Sequence, residues 1–473
     1  MSNKTRRFLL CILGFIPTVL LGGVPEDLNR ILKKSRADLG GLSFYVSRVD
    51  AAKPWLAYQD RVLRNPASVI KVLTTAVALE KFGPAYTWKT EFYGEQAPKA
   101  GHIRGPIYIK GYGDPYVTVE RFWAMIQELR QVGIQHIHGD VILDASYFGI
   151  PATEAQDFDG QESRAYNVPP YALLVNFQSL RLRFTFAANS VDIQSFPEIS
   201  SIKIVNQLRL TQGPCGAWKS KIKIDSLVQA HQEQLVIAGR YPKSCGEQSI
   251  YRAVLDPAKY TAGLFISLWR QQGGTISGLT RTGRVPKNAK LLLSVPSLPL
   301  AEIIRGINKF SNNVMTRHLL LTVIAESLAL PANETHGELL VKRWLDAQQI
   351  PTDGFRLENG AGLSRSTRIS AFQLGQVLKT VYQKPYMPEL VSSLPITGVD
   401  GTFANRELAA ETYGRMHLKT GFLDNVRATA GYFLNAKGQR YVIVILHNHA
   451  SATTKQGLDL QDRIINWVYK HSP

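Results

Sequence analysis

Hydrophobic positions change period several times along the chain. Phe8 to Leu21 is an unbroken apolar run behind Lys4, Arg6 and Arg7 and ahead of Gly22 and Gly23. That is the layout of an export signal, and fourteen residues are too few to span a bilayer comfortably. Residues 1–23 are therefore expected to be a signal peptide, with a retained anchor as the alternative, and the mature chain to begin near Val24. Around Val69, Ile70, Val72, Leu73, Ala76, Val77 and Leu79 the apolar residues cover most of a helix circumference. The spacing predicts a buried helix over 65–83, with Asn65 as cap, Pro66 at its first position and Gly83 at its end. From about 87 to 284 alternation takes over, as in Leu180, Leu182 and Phe184 or Ile222 and Ile224, with Gly and Pro turns between. Amphipathic helices near 118–132 and 257–272, the second capped by Asp256, interrupt it. Helical spacing returns near 299–308 and 313–329. Two strands follow near 427–434 and 440–447, joined across Asn435 to Gly438, then a helix near 456–469. The simplest reading is an α+β domain, 24–86 and 285–473, carrying a β-rich inserted region, 87–284, of two subdomains.

Composition narrows the class. In 473 residues, 45% apolar and 19% charged positions exclude a disordered chain, a collagen and a coiled coil. The formal net charge is +18. A basic surface suits an anionic partner, but the positive residues are scattered and no nucleic-acid module is visible, so no nucleic acid is expected. Apart from Cys11, the cysteines are Cys215 and Cys245, which in an exported chain fit a disulfide, with two free thiols as the alternative. The chain has no CxxC, HExxH or paired Cys/His set. His136 and His138, like His447 and His449, alternate along apparent strands and read as strand residues rather than ligands. No metal and no cofactor are expected.

Ser68-Val-Ile-Lys71 falls in the first turns of the buried helix. Positions i and i+3 share a helical face, so the amine can reach the hydroxyl. A serine nucleophile needs a base, and lysine serves once burial, a second cation or the positive helix end lowers its pKa. Ser200-Ser-Ile-Lys203 also matches the spacing, but in a strand its two side chains face opposite ways. Ser311-Asn-Asn313 is the only Ser-x-Asn in the chain and lies in a short link between helices, where a hydroxyl and an amide can project together; capping a helix is the commoner use of such residues. Lys419-Thr420-Gly421 follows the extended run from Arg415 to Leu418. A strand edge there offers pairing to an extended peptide, a cation for its carboxylate and a close backbone approach. An exposed lysine guarding a sheet edge is the plainer alternative, and Arg281-Thr-Gly283 is a near-match.

The three motifs in this order resemble the active-site set of serine penicillin-recognising enzymes. Within that group the chain is similar to the class C low-molecular-mass penicillin-binding proteins, D-alanyl-D-alanine carboxypeptidase/endopeptidases. Three further features carry the resemblance. Ser68 and Ser311 are 243 positions apart; the segments Gly111–Pro115 and Gly139–Phe148 look like the family's first inserted region; and Gly360–Arg365 and Leu394–Thr402 look like its blocks before Lys-Thr-Gly.

The resemblance implies a β-lactamase/DD-peptidase-like transpeptidase domain, an antiparallel sheet flanked by helices. It implies Ser68 as nucleophile on peptidoglycan stem peptides, Lys71 as base, Ser311 and Asn313 as proton relay and positioning groups, and Lys419 and Thr420 as carboxylate recognition. The N–H groups of Ser68 and Phe422 would form an oxyanion hole, and Gly421 lets substrate approach. Asp144 and Arg365 would hold a diaminopimelate terminus. β-Lactams are expected to acylate Ser68, with the mature protein periplasmic. The chain departs from the family pattern at Phe422, Asn359 and Ala361. A serine β-lactamase-like hydrolase and a non-catalytic peptidoglycan-binding protein are the alternatives, and a zinc peptidase lacks its ligands.

Overall fold

The computed structural model describes residues 24–35, 37–149, 164–187, 190–199, 201–229, 232–253, 255–328 and 332–473. The signal peptide expected at 1–23, with Cys11, and Ser200 lie outside them. No helix among the described residues is long and apolar enough to cross a membrane.

The two ends of the described chain meet in one antiparallel sheet. Its spatial order is Met416–Leu423, Val426–Leu434, Arg440–Asn448, Leu42–Arg48 and Leu56–Tyr58. The strand Arg440–Asn448 is buried on both faces, which is why it reads as a near-continuous apolar run rather than an alternation. Val442, Val444 and Leu446 face a core shared with the helices Lys71–Phe82, Leu300–Phe310, Asn313–Leu328 and Ala371–Tyr382. Tyr441, Ile443 and Ile445 face the opposite core, with the helices Glu26–Lys34 and Lys455–His471. Helices therefore cover both sheet faces; Met416–Leu423 is an edge strand whose first half pairs with Pro395 and Thr397, leaving the stretch from Lys419 onward as the edge on that side of the sheet.

The segment between these parts has its own cores. A five-stranded mixed sheet, ordered Thr280–Thr282, Val141–Asp144, Ile107–Gly111, Lys89–Gly94 and Lys290–Pro296, packs with the helices Val119–Gln131 and Pro257–Gln271. Thr118 and Asp256 cap those helices, as their residue types suggest. Lys290–Pro296, expected in the outer domain, instead pairs antiparallel with Lys89–Gly94. Strand pairing thus carries this sheet past the expected boundary at 284 as far as Pro296. The reason is cross-strand pairing between segments about 200 positions apart, which local sequence does not encode. Two three-stranded sheets form a further core around Phe184, Trp218 and Tyr241. Cys215 and Cys245, 30 positions apart, are disulfide-bonded there with Cα atoms 4.7 Å apart. A loop of that length contributes about 3–4 kcal/mol by limiting the unfolded chain.

Candidate active site

The Ser68–Lys71 motif sits on a pinned turn. The helix expected from 65 begins as an α-helix only at Lys71; Ala67–Ile70 form a 3-10 turn that carries Ser68. Asn65 holds the turn from both sides. Its Oδ1 accepts from Ala67 N at 2.8 Å, its Nδ2 donates to Ser364 O at 2.8 Å, and its backbone N–H donates to Asn448 Oδ1 at 2.7 Å. Ala67 has φ of 45°, a left-handed conformation costing an alanine on the order of 1 kcal/mol. The turn is also hemmed in by two glycines. A Cβ on Gly421 would lie 2.5 Å from Pro66 O, and one on Gly362, where φ is +78°, only 2.0 Å from Ala67 O. Gly362→Ala is thus expected to shift the Ser68 turn and lower acylation about 100-fold while the fold persists, since misplacing a reacting atom by an ångström costs that much. Penicillin acylation kinetics, read beside a thermal melt, check it.

Lys71 Nζ lies 3.0 Å from Ser68 Oγ, 2.7 Å from Asn313 Oδ1 and 2.5 Å from Ala361 O. The side chain is fully buried, and burial, reinforced by the charge of Lys419, holds its pKa well below the usual lysine range. A neutral amine has two N–H groups and one lone pair. Asn313 Oδ1 and Ala361 O accept the two N–H groups, which leaves the lone pair for the Ser68 hydroxyl. In that neutral form the amine is placed to accept a proton from Ser68.

The helix Leu300–Phe310 ends at Ser311, which adopts φ of 57°. Asn312 then caps the next helix, its Oδ1 accepting from Met315 N at 3.0 Å. The commoner use of this link, helix capping, thus falls to Asn312. Ser311 and Asn313 are left to face the cleft on either side of it. Lys419 is fully buried rather than an exposed edge residue. It lies on the edge strand Met416–Leu423, and its Nζ donates to Ser311 Oγ at 2.8 Å and to Thr420 O at 2.7 Å. Burial lowers its pKa to about 7. Thr420 Oγ1 donates to Thr402 Oγ1 at 2.8 Å. Ser68, Ser311, Asn313, Arg365 and Phe422 line one cleft of about 380 Å³ with Tyr166 and Asp424.

Asp144 is not brought to that cleft. It ends the strand Val141–Asp144, is 1% exposed, and its carboxylate accepts from Ser146 N and Val285 N, each at 2.9 Å. It ties the sheet end to the returning chain. The carboxylate beside Arg365 is instead Asp424, at 3.0 Å. Phe422 is exposed, with the Arg427 guanidinium 5.2 Å from its ring centre. The change at Ala361 has a simple account, because only its backbone carbonyl meets Lys71. Asn359 is buried and braces that loop, accepting from Ala361 N and donating to Leu363 O. Sequence reasoning passes over Tyr166, Thr402, Asn312, Asp424 and the Ala361 carbonyl. A backbone acceptor leaves no side-chain signature; Asn312, inside the motif, is legible as a cap.

Among the rivals, Lys203 is exposed on the strand Ile202–Thr211, and Arg281 pairs with Asp140 at 2.8 Å. His102 joins His136 and His138 away from the cleft, Nδ1 of His102 lying 2.7 Å from Nε2 of His138. Among the described residues no group of three His, Cys, Asp or Glu side chains is placed to hold a metal ion.

Residues 24–470 match the model of the D-Ala-D-Ala carboxypeptidase 3 (S13) family. The chain is similar to the D-alanyl-D-alanine carboxypeptidase of Actinomadura sp. (strain R39), 27% identical over 98% of this chain and 90% of that protein. It is similar to the D-alanyl-D-alanine carboxypeptidase DacB of Haemophilus influenzae, 23% identical over 99% and 98% of the two chains. The crystal structure of penicillin-binding protein 4 (dacB) from Haemophilus influenzae superposes with a TM-score of 0.80 at 21% identity, covering 94% of this chain and all of that one. A second structure of that protein, complexed with a β-lactam, gives 0.76 at 21% identity over 94% of this chain and all of that one.

Proposed function

We propose, on the premise that the chain belongs to the D-Ala-D-Ala carboxypeptidase 3 (S13) family, that its cleft hydrolyses peptidoglycan stem peptides through an acyl-enzyme on Ser68. The observation that carries this is the Lys71 amine. Its Nζ lies 3.0 Å from Ser68 Oγ, with Asn313 Oδ1 and the Ala361 carbonyl as its two other partners, and burial favours its neutral form.

Lys71 takes the Ser68 proton as Oγ attacks the carbonyl between the two terminal D-alanines. The N–H groups of Ser68 and Phe422 receive the developing oxyanion, each worth about 3 kcal/mol. The proton taken by Lys71 is relayed through Ser311, bonded to Lys419, to the leaving nitrogen as the C–N bond breaks, which returns Lys71 to its neutral form for the attack of water. Lys419 and Thr420 hold the departing carboxylate, and water then frees the acyl group. A peptide cross-link presents the same acyl carbonyl with a longer leaving amine, so endopeptidase cleavage uses the same steps. β-Lactams, with their fused carboxylate and amide, fit the same contacts and acylate Ser68; the β-lactam complex of the Haemophilus influenzae relative supports this. The expected export signal and the proposed substrate support a periplasmic location.

The test is D-alanine release from a synthetic stem pentapeptide ending in D-Ala-D-Ala, run with a chelator present. Release at a rate well above background is expected. Folded protein that releases none, yet binds peptidoglycan, would overturn the reading in favour of a non-catalytic binder. Fast turnover of a chromogenic cephalosporin without peptide hydrolysis would favour a β-lactamase.

A further inference from the structure

A second groove, of about 410 Å³, opens from the far side of the Ser311–Asn313 link and shares Tyr166, Ser311 and Asn313 with the cleft. Its outer wall comes from the inserted region. In the three-stranded sheet Ser190–Phe196, Ser179–Ala187 and Gln248–Ala253, Arg181 sits directly opposite Phe196 on one neighbour and Tyr251 on the other. Residues opposed across strands point to the same face, so the three side chains form one row: aromatic, guanidinium, aromatic. The Arg181 guanidinium lies 5.4 Å from the Phe196 ring centre.

The surroundings are those of a binding surface. Phe196 is 48% exposed, Tyr251 57%, Phe310 73% and Tyr166 39%, and all four line this groove. Among the described residues, eight aromatic side chains are exposed to this degree, so half of them gather at one place beside Ser311. Exposed apolar groups concentrated in this way mark an interaction site. Ser179, on the groove wall, is 8% exposed, and its Oγ has no hydrogen-bond partner within the protein. A buried hydroxyl left without a partner is unfavourable, and a polar ligand group would satisfy it. The wall is also strained, because Asn176, Phe177 and Gln178 are consecutive left-handed residues with φ of 50°, 52° and 52°. Three such residues in a row persist only where surrounding contacts impose them.

We infer that this groove holds the second stem peptide of a cross-link, the strand bearing the leaving amine. The inference rests on the proposed hydrolysis through Ser68. There, Ser311 donates to the leaving nitrogen, so whatever that nitrogen carries must extend past Ser311, and the groove is continuous with that point. The occupant is an acidic peptide. Its free carboxylates meet Arg181, and its aliphatic stem lies across the aromatic row. Release of a single D-alanine does not need the groove, because that leaving group ends at Lys419.

The test compares the full chain with Arg181→Glu and with Phe196→Ala/Tyr251→Ala. Three reactions are followed: cleavage of a purified cross-linked muropeptide dimer, D-alanine release from a monomeric pentapeptide, and acylation by a fluorescent penicillin. Dimer cleavage should fall at least tenfold in kcat/KM, chiefly through KM, with the other two rates within twofold of wild type. Dimer cleavage at the wild-type rate would overturn the inference, as would an equal fall in all three reactions. Wild-type protein that takes no penicillin label would sink the underlying enzyme reading instead, which keeps the two failures apart. A fall in the aromatic double variant alone, with Arg181→Glu unaffected, would overturn the acidic peptide in favour of an uncharged glycan.

Discussion

Ser68→Ala is expected to remove all covalent labelling by a fluorescent penicillin and to lower D-alanine release by at least about 10⁴-fold, the scale seen when a serine nucleophile is deleted. The effect is large because, among the described residues, Lys71 Nζ has Ser68 as its one hydroxyl partner. Ser311 Oγ is held by the Lys419 ammonium at 2.8 Å, so it faces a cation rather than a base. The substitution removes little packing. Ser68 is half-buried and its one contact besides Lys71 is a long one, 3.5 Å to Ala361 O. Stability should therefore change by no more than about 1 kcal/mol, and a matched thermal melt separates lost chemistry from lost fold. Ser200→Ala should keep the label. A label that survives in Ser68→Ala and vanishes in Ser200→Ala would reverse the assignment.

Lys71→Arg should be almost as damaging, lowering acylation about 10³–10⁴-fold, because general-base catalysis supplies up to that much. Arginine stays protonated and has no lone pair for the Ser68 proton. Lys71→Met, which matches lysine in length without its charge, should fail equally, and agreement between the two variants shows that the missing property is basicity. The pH profile of the wild type carries the same logic. Lys71 must be neutral, and its pKa is held down by burial and by Lys419, so kcat/KM should rise as pH climbs through that depressed value. Lys419 must stay charged for the substrate carboxylate, and burial brings its pKa to about 7. The profile should therefore turn down near and above neutrality. A bound carboxylate favours the ammonium, so the falling limb of kcat should lie at higher pH than that of kcat/KM. A profile that keeps rising to pH 9 and above in kcat/KM would contradict the charged role of Lys419.

Several elements of the fold are legible in the amino-acid sequence. The helices capped by Thr118 and Asp256 and ended by Gly83 form where their residue types place them. The strand pair around Asn435 to Gly438 does too, since Val426–Leu434 and Arg440–Asn448 flank it. Capping, turn chemistry and hydrophobic period act within a few residues, so a local reading captures them. The order of the three motifs is equally legible, because each needs particular side chains at short spacing.

Other features depend on partners far along the chain. Asp144 looks like a cleft residue by its place in a motif, yet the return of the chain at Val285 draws its carboxylate inward. Lys290–Pro296 joins the inserted region through pairing with Lys89–Gly94. The Arg181 row exists only because two neighbouring strands set Phe196 and Tyr251 in register with it. The lowered pKa of Lys71 comes from burial by the surrounding core, reinforced by Lys419, 348 positions away. By itself the sequence determined the candidate motifs and the local elements that bear them, since those follow from side-chain type and short-range periodicity. Only the tertiary structure decided which of them share a cleft, how far burial shifts their charge and which strands lie side by side, because those depend on contacts between segments hundreds of residues apart.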